Sequence, residues 1–325
     1  MELKENIVDK ELSEWIQGIK PLPDWVKLYK LNHHSPSQIN AADDMWGYKY
    51  LYLTQEERRN LPINSKMHSG VCIGDMGQYE VGNYIWKFVK GKGLVKTEIP
   101  KTKKIFEKVL DKFDAYQPST DEDKLSHQEN KKGLALTFHQ LKQSLKEIGL
   151  KDPIECERSV SLELPGCQLP VIGRVDFEDE NNFVELKTKW YKKNRPRKDG
   201  TSSYSVPKIE EGYMGWNEHI LQVAFYYLAT RKKPHLLVIN PESYNIFTPD
   251  NCEDLKPENL KKLINKMRVV CKRREEIMER HSGKTTWVED IFPDFDHFFW
   301  KGMGDHLTAA MRLWGHVWKR KQIEI

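Results

Sequence analysis

Two periodicities divide the chain. From residue 2 to about 150 the apolar positions recur at helical spacing, and from Ile154 they recur at every second position. The first stretch predicts helices over 7–19, 36–53, 75–89, 102–112 and 127–148, with a polar, Pro- and Ser-containing loop over 117–124. The last of these helices carries Leu134, Leu136, Phe138, Leu141, Leu145 and Ile148 as its apolar face. In the second stretch, 155–164 sets Cys156, Arg158, Val160 and Leu162 against Glu155, Glu157, Ser159, Ser161 and Glu163, the pattern of a strand with one buried face. Strands follow at 171–177 and 183–187, then a basic loop with an Asp199-Gly200-Thr201-Ser202-Ser203 turn, a helix over 217–230, and strands at 235–240 and 244–247. Helical pattern returns over 257–281, where Leu260, Leu263, Ile264, Met267, Val270 and Cys271 form the stripe. An aromatic segment with Phe292, Phe295, Phe298, Phe299 and Trp300 precedes a final helix bearing Leu307, Met311, Trp314, Val317 and Trp318. So much aromatic area is expected to pack against the rest of the molecule. The fold class read from this order is α/β (α+β): a mainly helical part over 1–150, a sheet-containing core over 151–250 and a helical part over 251–325, forming one compact unit.

Charges sit inside the most apolar strands. Strand alternation places Ile172, Arg174 and Asp176 on one face and Val171, Val175 and Phe177 on the other. In the next run it places Phe183, Glu185 and Lys187 opposite Val184 and Leu186. Turn formers between the two runs, Glu178-Asp179-Glu180-Asn181-Asn182, predict an antiparallel hairpin that brings Asp176 to Glu185 and Lys187. Paired carboxylates repel unless a cation lies between them, and oxygen ligands suit Mg²⁺. A hard dication with a nearby ammonium points to phosphodiester hydrolysis. An acid followed by Glu-x-Lys is a weak pattern in a chain with 31% charged residues, and Glu2-Leu3-Lys4 repeats it. Strand embedding and the preceding Gly173 set this instance apart.

Gly173-Arg174-Val175-Asp176, then Val184-Glu185-Leu186-Lys187-Thr188-Lys189, a basic stretch and Leu221-Gln222-Val223-Ala224-Phe225-Tyr226-Tyr227 resemble the RecB-like branch of the PD-(D/E)XK nuclease superfamily. Order and wording are most similar to the mitochondrial genome maintenance exonuclease and its bacterial and phage relatives. The resemblance covers about 35–240 and is firm over 173–226. It implies a restriction-endonuclease-like core, a central mixed sheet flanked by helices, with helical N- and C-terminal additions. It also implies that Asp176 and Glu185 hold Mg²⁺ or Mn²⁺, that Lys187 serves the attacking water, and that Gln222 and Tyr226, one helical turn apart, complete the catalytic set. His34-Ser35-Pro36-Ser37-Gln38-Ile39 is similar to the family's Ser-Pro-Ser element, and it also reads locally as a capping-box helix start. Where the family carries Gly-x-x-x-His, this chain has Gly74-Asp75-Met76-Gly77-Gln78-Tyr79-Glu80. Gln78 stands in place of the histidine as a further metal ligand, with Glu80 as substitute. The function implied is a DNA exonuclease preferring single strands or free ends, in repair, recombination or viral genome processing. A non-cleaving nucleic-acid-binding protein on the same fold and a structure-specific endonuclease using the same site are the alternatives.

Composition narrows this further. The net charge of +4 is modest, but Lys187, Lys189, Lys192, Lys193, Arg195, Arg197 and Lys198 fall within 187–198 with no acidic residue among them. Trp190 and Tyr191 interleave with these cations, the mixture expected of a nucleic-acid path in which cations neutralise phosphates and rings stack on bases. Cys72, Cys156, Cys167, Cys252 and Cys271 show no Cys-x-x-Cys spacing, which argues against a zinc site, a disulfide framework and the iron-sulfur cluster of some superfamily members. No run of about 18 apolar residues predicts a membrane span. The charged first residues resemble neither a signal nor a transit peptide, so the expected place is the cytoplasm, bacterial or phage-infected by the resemblance.

Overall fold

A computed structural model describes residues 23–89, 92–100, 105–196, 203–209, 217–297, 300 and 303–322. The expected helix over 7–19, Phe298 and Phe299, and most of the 199–203 turn lie outside them.

The helices are α1 Asp24–Tyr29, α2 Asp43–Gly47, α3 Gln55–Arg59, α4 Ser65–Val81, α5 Ile105–Asp114, α6 Asp121–Ile148, α7 Asn217–Thr230, α8 Pro257–His281 and α9 Asp305–Gln322. The strands are β1 Tyr84–Val89, β2 Gly93–Glu98, β3 Glu155–Leu162, β4 Val171–Glu178, β5 Asn182–Thr188, β6 Lys192–Lys193, β7 Tyr204–Ser205, β8 Lys233–Ile239 and β9 Tyr244–Phe247. Seven strands form one mixed sheet in the order β2-β1-β3-β4-β5-β8-β9. β3, β4 and β5 run as an antiparallel meander, and β8 returns parallel to β5 through α7. The central mixed sheet flanked by helices agrees with the α/β expectation.

Local chemistry sets the helix ends. Asn64 accepts from the Met67 amide to start α4, and Thr120 accepts from the Asp123 amide to start α6. Three acids follow Thr120 in the first turn of α6, favourable beside the positive end of the helix, so the helix consumes part of the expected 117–124 loop. α8 opens with Pro257 at its first position, as the pattern predicted.

Two expectations fail upstream. The helix expected over 75–89 is displaced: α4 runs from Ser65 to Val81, and Tyr84-Ile85-Trp86-Lys87-Phe88-Val89 pairs antiparallel with Gly93–Glu98 instead. Aromatic and β-branched residues in that run favour a pleated surface once a partner strand is available. The helix expected over 36–53 breaks into a 3₁₀ turn at Pro36–Gln38, α2 and a π-helical turn at Tyr48–Tyr52. Ser35 makes no side-chain cap to this turn; its hydroxyl pairs with that of Ser37 at 3.0 Å, so the expected capping box does not form.

One core lies between the sheet and α7 and α8, with Val171, Val175, Phe183, Leu221 and Phe225 among its members. A second lies against α4, α5 and α6, with Phe177, Val184, Ile73, Phe113 and Leu141. A third joins α1, α2, the end of α8 and α9 around Trp46, Trp287, Trp300 and Trp314, part of the aromatic packing expected of the C-terminal segment, whereas Phe292 and Met311 are exposed against that expectation.

Candidate active site

The β4–β5 hairpin forms as expected, but its ladder is short. Phe177 pairs with Val184 and Glu178 with Phe183, and the pairing stops at the next rung, where Asp176 would meet Glu185. The Leu186 amide instead donates to Asp176 Oδ2 at 2.7 Å. Beyond this point β5 stays paired with β8, so the two strands part where the carboxylates stand.

The same rung is irregular on the other side of β4. Cys156 pairs with Phe177 and Arg158 with Val175, while Glu157 and Asp176 between them are unpaired. Glu157 has φ of 56°, a left-handed conformation that costs a side-chain-bearing residue on the order of 1–3 kcal/mol. Strict alternation therefore fails on both strands. Val171 and Val175 belong to the core under α7, whereas Phe177 belongs to the opposite core, so the three do not share a face. Cys156 likewise packs on the α4 side, while Val160 and Leu162 face α7.

Glu185 is 1% exposed. Its Oε1 accepts from Lys187 Nζ at 2.5 Å, and its Oε2 has no hydrogen-bond partner. Lys187 Nζ also donates to Gln222 Oε1 at 3.0 Å, which ties β5 to α7. Gln222 Nε2 donates to the Tyr226 hydroxyl at 3.4 Å, and that hydroxyl donates to the Arg174 carbonyl at 2.6 Å. Asp176, Glu185, Lys187, Gln222 and Tyr226 are thus brought to one locus by β4, β5 and α7. Burial raises the pKa of Asp176, opposed by the Lys187 ammonium and the Leu186 amide. Burial also raises that of Glu185, with Lys187 opposing and Asp176 adding to the rise. Two carboxylates whose ionised forms are disfavoured by burial, one of them with an orphaned buried oxygen, fit a hard dication. Among the described residues no group of three or more His, Cys, Asp and Glu side chains is arranged to hold a metal. A site of one or two carboxylates with several waters is the usual one for Mg²⁺.

The two upstream positions diverge. Gln78 on α4 donates from Nε2 to Glu157 Oε1 at 3.2 Å and so reaches the irregular rung. Glu80, two residues on, is ion-paired with Lys142 of α6 at 2.8 Å. Glu157, which the alternation presents as an ordinary polar strand position, is the residue that sequence reasoning missed. Burial, then the Asp176 carboxylate, pushes its pKa up to about 7, with Arg174 opposing. Arg174 NH1 lies 3.4 Å from its Oε2.

The basic segment is part hairpin. Lys192 and Lys193 of β6 pair with β7 and are exposed, as is Arg195. Lys189 Nζ donates to the Lys208 carbonyl at 3.2 Å. Tyr191 is half-buried, with its Cε2 2.9 Å from the place a Cβ on Gly133 would take. Trp190 does not fit the base-stacking expectation: it is 3% exposed, packs in the core against α4 and α6, and donates from Nε1 to Thr188 Oγ1 at 3.0 Å. Its place directly after a buried strand explains this, since the ring closes the end of that core. Arg197 and Lys198 lie outside the described residues. Lys66 of α4, not foreseen, joins this cationic side: burial, then the Lys192 ammonium, lowers its pKa.

No family model matches the chain, and no curated protein or solved structure matches it. Among the described residues no helix is long and apolar enough to cross a membrane.

Proposed function

We propose that this chain is a Mg²⁺- or Mn²⁺-dependent deoxyribonuclease on a restriction-endonuclease-like core, an exonuclease that prefers single-stranded DNA. The observation that carries this reading is the parting of β4 and β5 at Asp176 and Glu185, with Lys187 held between Glu185 and Gln222. Preference for single strands and free ends rests on the resemblance of the motifs alone.

Asp176 and Glu185 would hold the ion, which when bound supplies Lewis acidity toward a phosphoryl oxygen and lowers the pKa of water. Lys187 brings a positive charge two residues from Glu185 on the same strand face, where it favours negative charge developing on the phosphate. Gln222 limits the motion of that ammonium, and Tyr226 limits the motion of Gln222 by anchoring on the Arg174 carbonyl. Lys192, Lys193 and Arg195, exposed beyond the end of β5, would take phosphates of the substrate strand.

The test is end-labelled linear and circular single strands and linear duplex, with Mg²⁺ or Mn²⁺, comparing wild type, Asp176→Ala and Lys187→Ala. Shortening of linear single strands by the wild type is expected. Asp176→Ala should abolish it, and Lys187→Ala should lower it at least roughly a hundredfold with DNA binding nearly intact, because the lysine acts on the transition state. DNA shifted but never shortened would make the chain a binding protein, and cleavage of circles would make it an endonuclease.

A further inference from the structure

We propose that the β1–β2 hairpin is a base-stacking arm beside the carboxylates, with Phe88 as the ring that takes a nucleobase of the substrate strand. The proposal rests on the nucleic-acid part of the function proposed above and gives it a surface on an element that the motifs do not include.

The register places the arm. Ile85 pairs with Cys156, Cys156 with Phe177 and Phe177 with Val184, so four strands share one line across the sheet. The next residues on these strands are Trp86, Glu157, Asp176 and Glu185, and there β1 parts from β3 as β4 parts from β5. β1 and β2 stay paired with each other beyond that line, through Phe88 with Leu94 to Val89 with Gly93. The hairpin therefore leaves the sheet level with the carboxylates, three strand spacings or about 14 Å from β5. Its face follows from alternation. Ile85 and Val184 both pack into the core against α4, α5 and α6, which turns Trp86, Phe88 and Glu185 to the opposite face, the one from which α7 brings Gln222.

The root of the arm is fixed and its tip is bare. Glu155 accepts from Trp86 Nε1 at 2.9 Å and also from Lys96, whose ammonium lies 4.5 Å from the centre of the Tyr84 ring and 5.8 Å from that of Trp86. Phe88, two residues beyond Trp86, is 67% exposed. A ring left this far in water contributes little to the fold.

Charge decides the occupant. From 84 to 97 the chain carries Lys87, Lys90, Lys92 and Lys96 and no acid. Lys87 and Lys92 are exposed near Phe88 in the hairpin. Cations around an accessible ring suit a polyanion whose bases stack. β2 is an edge strand with Lys96 exposed along it, which guards it against adding a strand from a second copy.

The experiment is fluorescence anisotropy of the full chain in EDTA with two labelled probes of equal length, an oligodeoxythymidylate and an abasic deoxyribose-phosphate strand. Wild type is compared with Phe88→Ala, Phe88→Trp and Lys87→Ala, with melting curves and sedimentation of each. Phe88→Ala should weaken binding of the thymidylate strand roughly tenfold and leave the abasic strand unchanged, Phe88→Trp should keep wild-type affinity, and melting temperatures should not move. Lys87→Ala should weaken both strands alike. Wild-type thymidylate affinity in Phe88→Ala, or an equal loss on both strands, would overturn the proposal and leave the nucleic-acid reading standing. Altered self-association of Phe88→Ala with DNA binding intact would overturn it in favour of a contact between copies. A wild type that binds neither strand would overturn both readings. A wild type that binds in the expected pattern but cleaves nothing with Mg²⁺ would remove the nuclease reading alone and support the arm.

Discussion

A methyl group added at Gly173 would lie 2.8 Å from Phe225 Cε1 and from Pro36 Cγ, and 3.1 Å from Tyr226 Cε1. Two neighbouring rings of α7 and a proline of the 3₁₀ turn close around it, so Gly173→Ala should destabilise the fold by about 1–3 kcal/mol, measured by urea denaturation. The same displacement pushes on Tyr226, whose hydroxyl holds the Arg174 carbonyl and Gln222. The proposed nuclease activity should therefore fall further than stability alone explains, and a variant that loses neither would show that the contact yields freely. At this scale the grouping of the candidate residues was legible. Asp176, Glu185 and Lys187 stand out because charge inside an apolar strand has few structural uses, and Gln222 and Tyr226 follow from their spacing on a helix. The place of Glu157 beside Asp176 was not legible, because it depends on a backbone rotation seen only in the assembled β3–β4 rung. Trp190 misled for the opposite reason: an aromatic among cations reads as a stacking ring until the core that covers it is known.

Elements with strong local signals came through. α7 and α8 have the bounds their patterns predicted, and β9 likewise, since Pro257 and periodicity both act within a few residues. The β1–β2 hairpin did not, because an apolar run with Trp86 and Phe88 fits either period until a partner strand decides. The 36–53 segment failed through a contact made from far along the chain. Arg274 of α8, 2% exposed, donates to the Gln38 carbonyl at 2.8 Å and the Ala41 carbonyl at 2.9 Å, and lies 3.4 Å from Asp43. It satisfies carbonyls that a continuous helix would have used internally, and so stabilises the break. Pro36 in that turn is one of the groups pressed against Gly173, so α8 helps to set the position of β4. Arg274→Leu should leave both carbonyls without their donor, while Asp43 keeps Arg273 at 3.1 Å, at a cost of about 3 kcal/mol. Amide exchange should accelerate first over 36–41, and uniform acceleration across the chain would contradict a local role.

On the scale of the whole molecule, the sheet separates two cores and places the carboxylate fork between them, with α4 and α7 contributing from opposite faces. The order of elements predicted this architecture, because three meander strands, a helix and a returning strand leave few ways to build a sheet. Electrostatics on the same scale predicts an acid response. His33 in the loop before the 3₁₀ turn, His219 on α7 and His235 on β8 have their pKa values lowered to about 4, 3 and 4, in each case chiefly by burial. For His235 the Lys233 ammonium adds to the lowering, while Asp179 and Asp250 oppose it. An unfolded histidine takes up its proton near pH 6.5, whereas the folded one declines it until about pH 4, so stability falls as pH drops through that window and is constant above it. Glu157, whose pKa is raised to about 7, acts in the other sense: the folded state binds its proton first, so acidification over the upper part of the window stabilises. The slope for wild type mixes these contributions, but the difference between wild type and His235→Gln isolates one of them. His235 is 7% exposed and its Nε2 pairs with Asn182 Oδ1 at 3.2 Å, a bond the glutamine amide can replace. Relative to wild type, His235→Gln should therefore gain stability on going from pH 7 to pH 4, on the order of 3 kcal/mol, in urea midpoints taken at each pH. A constant difference across that range would mean that His235 titrates in the folded protein as it does in the unfolded chain.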